Sequence, residues 1–154
     1  RVTSMAYELE KHWIAACQQY KITEDVTEEW WKYIKTRYTE SQRAYHTLEH
    51  LREMFGYFVK DRVKLDSPHL VALSIFFHDI IYNPKNGAPR NEEESAAEFL
   101  RFASEANSKA GKTAIPREHV SMCHEWIVKT AEHKAGPQDS QDCKLFMDWD
   151  MAIL

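Results

Sequence analysis

Polar residues that interrupt apolar runs carry the chemistry of this chain: His50, the adjacent pair His78-Asp79, and Asp148 or Asp150. An unpaired carboxylate in an apolar interior costs several kcal/mol or shifts its pKa, so such groups are normally paired or bound to metal. Two neutral imidazoles and two carboxylates suit a divalent ion such as Mn, Fe, Co, Ni, Zn or Mg. A ligand set that leaves positions open for water is catalytic rather than structural. Such an ion acidifies water and polarises a phosphoryl oxygen, and a nearby histidine can protonate the leaving alkoxide. Arg43 or Arg90 can hold substrate phosphate. The chain has no Gly-rich phosphate loop, no G-x-S-x-G and no H-E-x-x-H.

The elements that must position these residues read as helices. Leu70 to Asn83, LVALSIFFHDIIYN, is apolar on nearly every face and predicts a buried central helix. Asp66-Ser67-Pro68 opens it, and it ends near Asn83-Pro84. Adjacent residues on a helix point about 100° apart, so His78 and Asp79 can still converge on an ion lying beside it. A helix from about Tyr45 to Lys60 places His46 and His50 at i and i+4 on one face, as two ligands or as ligand and proton donor. Taken alone that pair is a weak signal, since two histidines on a helix are more often surface or hydrogen-bonded residues.

Before these come a helix from about Ser4 to Tyr20 and another marked by Val26, Trp30, Trp31, Ile34 and Tyr38. After the loop Pro84 to Arg90, Asn91 reads as an N-cap with Glu94 as its capping-box partner. The helix it opens turns Ala96, Ala97, Phe99, Leu100, Phe102 and Ala103 inward. Pro116 opens a further helix, with His119, His124 and His133 on or after it. A last helix spans about Ser140 to Leu154. The expected fold is all-α: one compact bundle of six or seven helices without a sheet.

Composition bounds the rest. At 154 residues the chain makes one domain that buries roughly two-thirds of its unfolded surface. A net charge of −4 gives no reason to expect a nucleic-acid polymer or an anionic membrane as partner. No apolar run reaches the length of a spanning helix, and there is no basic-then-apolar leader. Cys17, Cys123 and Cys143 are odd in number and far apart, which reads as reduced thiols in a cytoplasmic protein. Trp30, Trp31 and Trp149 suit an interface as well as a core, which allows a homodimer. Ile153-Leu154 falls inside an apolar pattern, so the natural chain is expected to continue.

The order His50, His78-Asp79, Asp150 resembles the HD superfamily of metal-dependent phosphohydrolases. Five ordered blocks carry the resemblance from about Arg43 to Leu154. They are Tyr45-His46-x-x-Glu49-His50-Leu51, Phe77-His78-Asp79-x-x-Tyr82, Asn91-Glu92-x-x-Ser95-Ala96, Ile127-x-x-Thr130-x-x-His133 and Asp148-x-Asp150-x-Ala152-Ile153-Leu154. The resemblance implies His50, His78 and Asp79 as metal ligands. The closing aspartate of the superfamily tends to precede Leu, Met or Arg, which favours Asp150, before Met151, over Asp148. In the related cyclic-nucleotide phosphodiesterases a Tyr-His-Asn-x-x-His segment donates a proton from its first histidine. By that analogy His46 is the general acid, although Thr47 stands where that segment has Asn. Glu92 or Glu93 would orient a metal-bound water, and His133 or His124 would line the pocket or support a second metal.

The implied activity is hydrolysis of a phosphoester or phosphoanhydride in a small, nucleotide-like substrate. Two other readings share the residues. Some HD-type proteins are di-iron oxygenases, which would require His133 or Glu93 as further ligands. A nucleotide-sensing or partner-binding module would keep the site without turnover. A helical domain whose His and Asp residues are satisfied structurally would hold no metal.

Overall fold

The computed structural model describes residues 2–152, with side chains from residue 4 onward. Seven α-helices follow in order: α1 Val2–Gln19, α2 Glu24–Tyr38, α3 Leu48–Asp61, α4 Pro68–Phe77, α5 Arg90–Ala110, α6 Arg117–Lys129 and α7 Gln141–Ala152. Short 3-10 turns extend α3 (Arg62–Lys64) and α6 (Thr130–Glu132). No strand forms among the described residues. Ile153 and Leu154, expected in the last helix, lie outside them.

α4 is the axis. Every residue from Leu70 to Phe77 is buried, and the helix touches α1, α3, α5, α6 and α7. Its all-round apolarity is thus the signature of a helix with no solvent face. Aromatic rings fill the space around it. Trp13 of α1 meets Phe76 edge-on at 5.3 Å, and Trp30 of α2 meets Phe102 of α5 at 5.3 Å. Trp30, Trp31 and Trp149 are 3%, 5% and 3% exposed, so all three belong to this core rather than to a subunit interface. On α5, Ala96, Phe99, Phe102 and Ala103 point inward as expected, while Ala97 and Leu100 face solvent.

α4 is shorter than its apolar run implies. It stops at Phe77, which leaves His78 and Asp79 in the turn beyond it. Carbonyls at a helix end have no partner within the helix and need one from outside. Tyr38 Oη donates to the Phe76 carbonyl at 2.8 Å and accepts the Asp79 N–H at 3.1 Å. The Arg43 guanidinium donates to the carbonyls of Asp79 (2.7 Å), Ile80 (2.6 Å) and His46 (2.8 Å). At the other end, the buried Asp142 carboxylate accepts the N–H groups of Asp66 and Ser67, each at 2.8 Å. Both ends of the axis are held by residues remote in sequence.

Two further boundaries differ from expectation. α3 begins at Leu48 with Thr47 as its extended N-cap, so His46 precedes the helix and does not share a helical face with His50. α5 begins at Arg90, and Asn91 does not cap it. The Asn91 amide instead clasps the preceding loop, accepting the Asn83 N–H at 3.0 Å and donating to the Asn83 carbonyl at 3.1 Å. Glu94 accepts from Arg90 and Asn86 rather than closing a capping box.

Candidate metal centre

Three elements deliver the cluster. His50 comes from the first turn of α3, His78 and Asp79 from the turn that ends α4, and Asp150 from the last turn of α7. One ligand atom from each lies within 4.8 Å of all the others. His50 Nε2 is 3.1 Å from His78 Nε2, 3.0 Å from Asp150 Oδ1 and 3.5 Å from Asp79 Oδ2. His78 Nε2 is 3.2 Å from Asp79 Oδ2 and 3.3 Å from Asp150 Oδ1. Two ligands each ~2.1 Å from one ion sit ~3.0 Å apart at a right angle and ~3.4 Å apart at a tetrahedral angle. The spacing therefore fits four donors around one divalent cation. Asp148, the other candidate on α7, faces solvent.

Orientation is fixed from behind. His78 Nδ1 donates to the Ile75 carbonyl at 2.6 Å, which points Nε2 into the cluster. The turn follows the carboxyl end of α4, where the helix dipole favours positive charge. Burial opposes protonation of His78, but the Asp79 and Asp150 carboxylates beside it hold its pKa well above the usual histidine range. Burial would likewise raise Asp79 and Asp150. The His78 imidazolium and hydrogen bonds from the surrounding histidines outweigh it, leaving Asp79 well below the carboxylate range and Asp150 down at about 2. Without metal the cluster is a dense array of opposite charges.

His46 enters from the segment before α3. Its Nδ1 is 2.9 Å from Asp79 Oδ2, and its ring stacks on Tyr82 at 4.3 Å with 28° between planes. With Nδ1–H donating to the carboxylate, the second ring nitrogen stays available for a mobile proton.

The cluster opens into a cavity of ≈ 630 Å³ that also takes in Tyr45, His46, Glu92 and His133. Glu92 Oε1 is buried there without a hydrogen-bond partner. His133 follows the 3-10 turn in a left-handed conformation, φ 57°, and is exposed at the cavity edge. His124 is half-buried and does not line the cavity.

Three expected site residues stand elsewhere. Glu93 is exposed and outside the cavity lining. Arg90 lies in solvent, paired to Glu94 at 2.9 Å. Arg43 has a fully buried side chain and is engaged by carbonyls, so it holds the backbone rather than a phosphate. Tyr38 and Arg43 acquire positioning roles that sequence reasoning missed. Nothing in the sequence distinguishes Tyr38 from the core aromatics around it.

No family model, curated protein or solved structure matches this chain.

Proposed function

We propose that this protein is a metal-dependent phosphohydrolase of the HD type, acting on a phosphoester or phosphoanhydride of a small, nucleotide-like substrate. The observation that carries the reading is the convergence of His50, His78, Asp79 and Asp150 at ligand spacing on the floor of an open cavity. Those four residues would hold a divalent ion, which supplies a Lewis acid and lowers the pKa of water. His46, steadied by Asp79 and Tyr82, is placed to give its proton to the leaving oxygen. The orphaned Glu92 oxygen is placed to accept a hydrogen bond from the attacking water. The P–O bond to the leaving group breaks as the water oxygen bonds to phosphorus. One water is consumed, and phosphate and the protonated leaving group are released.

The same Glu92 oxygen and His133 favour a second reading, in which two irons occupy the cavity and the chemistry is oxygenation. Elemental analysis after dialysis, wild type beside Asp79→Ala, is the deciding measurement. One metal per chain in wild type, lost in a folded variant, together with metal-dependent phosphate release that His46→Ala slows by about 100-fold, is the expected result. Two irons and no phosphate release would favour the oxygenase. Metal-free protein that no added ion stabilises would overturn both.

A further inference from the structure

The cavity carries an electrostatic signature that bears on its substrate. Besides the ligand carboxylates it is lined by Glu49, Glu53 and Glu92, and by no Lys or Arg among the described residues. A divalent ion balances Asp79 and Asp150 and leaves the other three. Glu49 is matched by Arg52, at 2.6 Å. Glu53 and Glu92 form no ion pair among the described residues. At the same mouth Tyr45 stands 78% exposed, an aromatic face turned to solvent beside the site. Carboxylates and an open π face both attract cations, and low-dielectric walls focus the field of whatever charge lines them.

We propose that the cavity selects a phosphomonoester whose alcohol portion carries a positive amine, and discriminates against substrates with negative charge beyond the reacting phosphate. The proposal rests on the phosphohydrolase reading and replaces its nucleotide-like substrate with a cationic monoester. The reacting phosphate would sit at the His50, His78, Asp79 and Asp150 cluster, with the cationic end against Tyr45 and Glu53. Di- and triphosphates meet carboxylates where a phosphate-binding site would present arginine or lysine.

Three esters of similar size differ mainly in remote charge: phosphocholine (positive), glycerol 3-phosphate (neutral) and 3-phosphoglycerate (negative). With Mn-loaded protein at low salt, kcat/KM and calorimetric affinity are expected to fall in that order, by at least tenfold from first to last. The spread narrows as ionic strength rises, because exposed charges are screened. Glu53→Gln and Tyr45→Ala change exposed side chains, so both variants fold. Each is expected to shrink the ratio of the first ester to the second at least threefold, with metal content unchanged. A flat or reversed order overturns the proposal. So does loss of metal in Glu53→Gln, which would make that carboxylate a metal group. If none of the three is hydrolysed and nucleotides release no phosphate either, the phosphohydrolase reading fails by itself, and the order of affinities still decides the charge selectivity.

Discussion

At the residue scale the four residues that could hold a metal ion are also a set of interacting titratable groups. The raised His78 pKa means that its protonated form stabilises the metal-free protein below the unfolded histidine pKa, a contribution lost as pH rises through the raised value. The depressed pKa values of Asp79 and Asp150 contribute above the unfolded carboxylate pKa and are lost as pH falls through their low values, about 2 for Asp150. Chelated protein is therefore expected to have its highest urea midpoint between about pH 4 and 6.5. Metal affinity should run the other way and strengthen as pH rises, because an ion must displace the His78 proton. Calorimetry in buffers of different ionisation enthalpy would detect that released proton. A chelated protein whose midpoint climbs steadily from pH 6 to 9 would contradict the charge arrangement.

Most of this cluster is legible in the chain, since charged residues inside apolar runs demand partners. His78 and Asp79 need little more, whereas His50 rests on a histidine pair that alone is a weak signal and on the family pattern. The choice of Asp150 over Asp148 came only from resemblance to a family pattern, and the burial of one and exposure of the other now give it a physical basis. The expectation for Arg43 and Arg90 fails because sequence shows that a guanidinium is present but not what occupies it. Arg43 looks like any other cation until the carbonyls beyond α4 are seen around it.

At the element scale, the decisive event is where α4 stops. Its apolar run continues to Ile81, and the run alone predicts a helix that ends near Asn83-Pro84. Tyr38 and Arg43 end it earlier by partnering the Phe76 carbonyl and the carbonyls of the turn just beyond it. Arg43→Gln should cost about 3 kcal/mol by denaturant unfolding, since a charged donor is lost and buried carbonyls are left unpaired. Tyr38→Phe should cost about 1–2 kcal/mol for the same reason on a smaller scale. The two costs should not add, since both side chains secure one turn. A loss under 0.5 kcal/mol in Arg43→Gln would show that the clamp is not needed to end the helix. No sequence rule could have supplied this boundary, because its cause lies 36 residues away.

At the scale of the whole molecule, the centre joins the beginning of α3, the end of α4 and the end of α7. An ion held there would bind only the folded chain and should raise the melting temperature in proportion to the logarithm of its concentration. Asp150→Ala should abolish that rise, whereas Asp148→Ala, on the solvent face, should leave it intact. The all-helical class was readable from periodicity alone. The packing of the bundle around α4 was readable from the one helix that has no polar face.

The span of the ligand set governs when the centre can exist. His50 and Asp150 are 100 residues apart, and the brace at the head of α4 also waits for α7 in the form of Asp142. A nascent chain emerging from the ribosome thus carries an unfinished site until nearly its last described residues have appeared. Its contacts are of the long-range kind that slow folding. Any ion that the cluster holds would in consequence be captured late in the life of the chain, and a copy clipped within α7 would lack the fourth ligand.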